Sequence, residues 1–181
     1  INFNIIRSNG DKILLKQGDL YDIFKNVTWF ACARVFKKEI LENYFFIENI
    51  YYEDIAYVPY LYIKARKIIH INSNLYWYRV NTNGITLNFS KLGNLKTLTS
   101  LTTVLNYYIE LYQLTKNSLV FVMVVQSLFI LVTNSCRRNS YKDALEVINK
   151  YRQVFQDYHI LQTEVSRALS NKMIFFARIP K

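Results

Sequence analysis

The stretch SLVFVMVVQSLFILVTNS, residues 118–135, is the most apolar segment of the chain and the strongest single constraint on its fold. Gln126 and Ser127 interrupt it. It falls short of the roughly 20 consecutive apolar residues that a membrane span needs. It therefore reads as a buried core helix, with an interfacial helix as the second reading.

The surrounding sequence is helical in period from about residue 90 onward. Helices are expected over 91–114, 117–137, 140–156 and 160–170. The first half reads differently. Alternating Ile1, Phe3 and Ile5 lead into Ser8-Asn9-Gly10-Asp11, and Ile13 to Leu15 follows. Asn-Gly between two such runs predicts a β-hairpin, because both turn positions favour positive φ. A short helix is expected from Ala33 to Asn43, with Val35, Phe36, Ile40 and Leu41 sharing a face, Lys37 and Lys38 facing water, and Asn43 as its stop. A second helix covers 53–66, where Ile55, Val58, Tyr62 and Ala65 follow helical spacing. Pro59 within it removes a backbone donor and is expected to kink the first turns. KIIHIN (67–72) and NLYWYRV (74–80) read as two strands, and Asn81 to Gly84 as a loop.

Composition fits one compact unit with an ample core: 51% of residues are hydrophobic and 16% aromatic. The net charge of +10 suits an anionic partner. Cys32 and Cys136 lie far apart, so neither a zinc site nor a disulfide framework is expected. His70 and His159 read as strand-end and helix-surface residues. The chain opens on Ile1 with residues that already read as a strand; the expectation is that it begins partway through a larger protein.

The familiar catalytic signatures are missing. There is no glycine-rich phosphate loop, no Asp-x-Asp, no Gly-x-Ser-x-Gly and no His-Glu-x-x-His. Glu53-Asp54 is the best acidic candidate. Carboxylates in a first helical turn commonly serve the helix dipole and its free N–H groups. The same pair at a strand-to-helix junction, followed at fixed interval by strands and a polar loop with Arg79, also fits a site.

Three ordered pieces carry a resemblance: ARVFKKEIL, then IYYEDIAYV, then ARKIIHINSNLYWYRVNTNGIT. Together they resemble the second half of the catalytic domain of bacterial family 2 glycosyltransferases, over about a third of the chain. The resemblance implies an α-rich α/β fold: residues 1–90 as the acceptor-side half of a GT-A domain with a few mixed strands, residues 91–181 as a C-terminal helical region. It implies inverting transfer from a nucleotide-sugar donor to a polysaccharide or lipid-linked saccharide acceptor. Asp54 would be the base and Glu53 would orient the site. Trp29 would be a sugar platform, with core packing as the alternative, and Arg79 would neutralise the leaving diphosphate or pair with a carboxylate. The family's Mg²⁺ or Mn²⁺ is implied as well, with ligands outside this chain. A cytoplasmic setting at the inner face of the membrane follows, with the basic-aromatic stretches CRRNSYK and NKMIFFARIPK as peripheral contacts.

The competing readings are a non-enzymatic helical interaction module, with Glu53-Asp54 as a cap, and a nucleic-acid binder. The second is disfavoured, because Lys and Arg are spread along the chain and no nucleic-acid motif appears.

Overall fold

A computed structural model describes residues 1–15, 18–42, 44–81 and 84–178. The fold is an α-rich α/β arrangement with a small mixed sheet. The expected hairpin forms. Strand β1 (Asn2–Arg7) pairs antiparallel with β2 (Lys12–Ile13), Ile5 opposite Ile13. Only Gly10 of the turn takes positive φ, at 89°. The Gly10 N–H bonds the Arg7 carbonyl (2.9 Å) and the Arg7 N–H bonds the Asp11 carbonyl (2.8 Å). The connection is thus the three-residue type with glycine in the left-handed position, not the two-residue type in which Asn9 would share it.

The expected pair of strands is one strand, β3 (His70–Tyr78), running parallel to β1. Asn72-Ser73-Asn74, which reads as a break, is instead accommodated by register shifts: Phe3 opposes Ile71, Asn4 opposes Asn74 and Ile5 opposes Tyr76. The Asn4 side chain fills the irregularity, donating to Asn72 Oδ1 (3.1 Å) and accepting from the Leu15 N–H (2.9 Å). Sheet order is β2-β1-β3, which leaves β3 at an edge. Arg79 and Val80 lie beyond the strand end.

Helix α1 (Leu20–Lys25) starts at Asp19, whose carboxylate accepts from the Asp22 N–H. The helix expected over Ala33–Asn43 does not form. A 3₁₀ turn covers Ala31–Ala33, the chain then runs extended, and only Lys38–Leu41 makes a single turn, α2. The reason is tertiary. Arg34 bridges to Asn2, and the Val35 N–H bonds the Ile1 carbonyl at 2.9 Å. These ties hold the backbone extended against local helical period. Lys37 and Lys38 face water as expected. Asn43, and Thr82 and Asn83 of the expected loop, lie outside the described residues.

Helix α3 (Glu53–Lys64) forms as expected and carries Pro59 inside it. The carbonyl of Ile55 loses its usual donor there, since residue 59 has no N–H. The Tyr108 hydroxyl takes its place, 2.8 Å from the Ile55 carbonyl and 2.9 Å from that of Ala56.

Tyr108 comes from α4 (Lys91–Thr115), which packs against α5 (Ser118–Arg138). At 21 residues α5 is long and apolar enough to cross a membrane, but it is mostly buried within the protein, as a core helix is. Gln126, the apparent flaw in its apolar run, is fully buried and cross-links the fold. Its amide donates to the Phe24 carbonyl (2.8 Å) and its oxygen accepts from Trp29 Nε1 (3.3 Å).

The expected 140–156 helix is divided at Tyr151 into α6 (Tyr141–Lys150) and α7 (Arg152–Val165). The Tyr151 hydroxyl is anchored to Asn106 Oδ1 at 3.0 Å. Helix α7 then continues through the break expected before residue 160 and carries His159 exposed on its surface. A further helix, α8 (Asn171–Ala177), closes the described chain. The main core joins Phe24, Trp29, Val58 and Tyr62 from the first half to Leu105, Phe121 and Tyr158 from the second.

Candidate functional site

The Glu53-Asp54 pair opens α3. Tyr52 precedes it in the left-handed conformation (φ 63°), as does Asn49 (φ 60°), and no side chain caps the helix from Tyr52. A left-handed tyrosine is uncommon and is held by its surroundings. The loop leading in is tied from outside: the Tyr51 N–H donates to Ser100 Oγ of α4 (2.9 Å), and the Lys96 ammonium lies 4.8 Å from the Tyr51 ring centroid.

The two carboxylates differ. Glu53 is exposed, whereas Asp54 is largely buried. Burial pushes the Asp54 carboxyl up to about 6, with the Glu53 charge as the second cause. The N–H groups of Ile55 and Asp54 and the charge of Arg34 pull the other way without prevailing. A residue that merely served the helix dipole would be held below its usual range. The Asp54 carboxylate does accept from N–H groups at the helix start, as a capping residue would, but burial outweighs them.

The arginine that acts on Asp54 is Arg34, which the sequence reading passed over. It is buried between aromatic rings, its guanidinium 5.3 Å from the Tyr62 ring centroid and 5.9 Å from that of Trp29. Its Nε donates to the Tyr62 hydroxyl at 2.9 Å, and its terminal nitrogens donate to the Phe30 and Thr28 carbonyls. The only sequence signal for it was a cation set among Ala33, Val35 and Phe36. Arg79 is exposed beyond the end of β3, and the charges acting on Asp54 do not include it.

Trp29 is only 3% exposed. Its ring packs edge-on against Phe24 and Tyr62, and its N–H is committed to Gln126. It stands as core packing, the alternative weighed for it, and offers no open face to a sugar ring.

A groove of about 730 Å³ lies at the other end of α3, lined by Leu61, Tyr62 and Lys64 and by the following segment to Ile69. It is separated from Asp54 by roughly 10–15 Å of helix, at 1.5 Å per residue. Tyr62 lines the groove and accepts from Arg34, whose charge reaches Asp54.

Among the described residues no group of three or more His, Cys, Asp or Glu side chains comes together. No family model, curated protein or solved structure matches the chain.

Proposed function

We propose that the chain is the acceptor-side part of an inverting glycosyltransferase, with Asp54 as the general base. The observation that carries this reading is the environment of Asp54: a largely buried carboxylate at a helix start whose pKa is raised to about 6. A base works best when its pKa lies near the working pH. At about 6 the carboxylate is still mostly ionised at neutral pH yet holds a proton far better than an ordinary Asp.

In the proposed step the acceptor hydroxyl oxygen bonds to the anomeric carbon of the donor. The bond from that carbon to the nucleoside diphosphate breaks, and the diphosphate leaves with the electron pair. The hydroxyl proton passes to Asp54. Glu53 supplies the second negative charge that keeps the Asp54 proton affinity high. Arg34 limits the rise and donates to the hydroxyl of Tyr62 in the last turn of α3. The nucleotide-sugar is positioned by residues outside the described site, so no metal step is assigned to this chain.

Asp54→Asn in the complete enzyme should lower turnover about 10²–10⁴-fold at saturating donor and acceptor, the usual range for a general base, with donor affinity unchanged. The acid limb of kcat/KM should fall near pH 6. Near-normal turnover in the variant would return Asp54 to a structural role. The present chain alone should show no UDP-sugar binding by calorimetry with Mg²⁺ or Mn²⁺, since the proposal assigns the donor to a different half of the enzyme; tight binding would overturn the division of labour proposed here.

A further inference from the structure

We propose that the turn Ile85–Leu87 and the first two turns of α4 form a docking surface for an anionic lipid bilayer. Five large apolar side chains are exposed over this short stretch: Ile85, Leu87, Phe89, Leu92 (75% exposed) and Leu95 (63% exposed). Leu92 and Leu95 sit one turn apart on the outer face of α4, beside exposed Lys91 and Lys96. Exposed Arg137, from the end of α5, brings its guanidinium within 5.9 Å of the Phe89 ring centroid.

The surface is held in shape from behind. The guanidinium of buried Arg138 lies 4.6 Å from the Phe89 ring centroid and donates to the Asn88 carbonyl (2.7 Å) and to Asn94 Oδ1 (3.0 Å). A Cβ at Gly93 would come within 2.7 Å of the Asn88 side chain, so glycine lets that side chain close over the helix start. The apolar groups are thus presented by an anchored turn.

Charge selects the partner. From Ile55 to Ile109 the chain carries no Asp or Glu, while Lys64, Arg66, Lys67, Arg79, Lys91 and Lys96 all fall within that span. Exposed apolar side chains flanked along the sequence by cations and no acid match the acyl-headgroup boundary of an anionic leaflet. The tail stretches named from sequence expose single aromatics, Tyr141 and Phe175, rather than a run of apolar side chains. Phe176 of α8 packs on Phe129 and Phe155, Met173 and Ala177 are buried, and Arg138 is the internal anchor. The docking surface does not depend on the transfer reaction. It does adjoin the carboxylates, because Lys96 and Ser100 hold Tyr51 three residues before Asp54.

The test is flotation with phosphatidylcholine vesicles, with and without phosphatidylglycerol, at low and high salt. Wild-type protein should float with the anionic vesicles at low salt and not with the neutral ones. Leu92→Gln/Leu95→Gln should weaken binding about tenfold or more. Lys91→Gln/Lys96→Gln should lose about fivefold per charge and most of the salt dependence. Both pairs are exposed, so unchanged melting curves verify the fold. Trp77→Ser, on the uncharged strand β3, should bind as wild type does. Equal binding to neutral vesicles, no binding, or undiminished binding by the leucine variant would each overturn the proposal. So would a surface that, without binding vesicles, retains a single-stranded oligonucleotide or doubles the protein's mass in solution and loses that property in the leucine variant.

Discussion

Asp54 makes opposite demands on stability and on chemistry. In the unfolded chain its carboxyl ionises near 3.8, and in the folded protein near 6. Between those values the folded form keeps a proton that the unfolded form has lost. Stability therefore falls as pH rises across that window and stays at the lower level above it. The ionised carboxylate costs on the order of 2–3 kcal/mol at neutral pH, by about 1.4 kcal/mol per pKa unit. Asp54→Asn should then raise stability at pH 7, by on the order of 1–3 kcal/mol. The gain should fade as pH is lowered through 6 towards 3.8. Melting curves of the two proteins across that range check it; a variant less stable than wild type at pH 7 would contradict the assigned burial cost. Glu53→Gln should move the Asp54 pKa downward, since the Glu53 charge is the second cause of its rise. The carboxylate pair was legible in sequence because two acids open an otherwise apolar helix. The sign of the Asp54 shift was not, because desolvation depends on what the fold brings around the carboxylate, Cys32 and Arg34 among it. Arg34 was hidden for a similar reason: its partners Tyr62, Phe30 and Thr28 are set by the fold.

At the scale of elements, α3 shows how a helix can keep a proline in its interior. Pro59 leaves the Ile55 carbonyl without an intrahelical donor, and Tyr108 supplies one from α4. The Tyr108 side chain is fully buried, and burial raises its hydroxyl pKa well above the usual value, so it remains a donor at all ordinary pH. Tyr108→Phe should cost about 1–3 kcal/mol through the unsatisfied carbonyl. In a Pro59→Ala background the restored amide can take the Ile55 carbonyl, and the cost of Tyr108→Phe should shrink. Denaturant melts of the four proteins measure that coupling; additive single effects would mean that the hydroxyl does not substitute for the lost amide. Local period was sufficient to find α3, α4 and α5, where one face or the whole helix is apolar. It failed at Ala33–Asn43, where Ile1 and Asn2 hold the chain extended. It failed again at Tyr151, where a buried aromatic anchored to Asn106 divides an otherwise continuous helical pattern.

The molecule as a whole is lopsided: a closed helical core on one side and an open sheet on the other. Strand β3 lies at the sheet edge, and its side chains from Ile71 to Tyr78 are exposed on both faces. The strand HINSNLYWY carries no Lys, Arg, Asp or Glu, so nothing in it repels a second strand. The alternating faces of 74–80 were legible in sequence, but not that Leu75 and Trp77 would stand bare while Tyr78 on the other face packs on Phe30, because that depends on what the other elements cover. An uncharged, apolar, unpaired edge is a template for pairing with another chain. The expectation is self-association that grows with protein concentration, with Leu75 and Trp77 (66% exposed) at its centre. Leu75→Lys should suppress it. The substitution places a charge where two edges would meet, and it touches no core residue, so stability should change by no more than about 0.5 kcal/mol. Net repulsion also rises, because the protein is already at +10. Sedimentation over a concentration series distinguishes the two effects. Leu75→Lys should remain monomeric where wild type associates, while a lysine of the same charge placed at His159, exposed on the far helix α7, should not. Equal suppression by both would make net charge the cause, and would remove β3 as the contact surface.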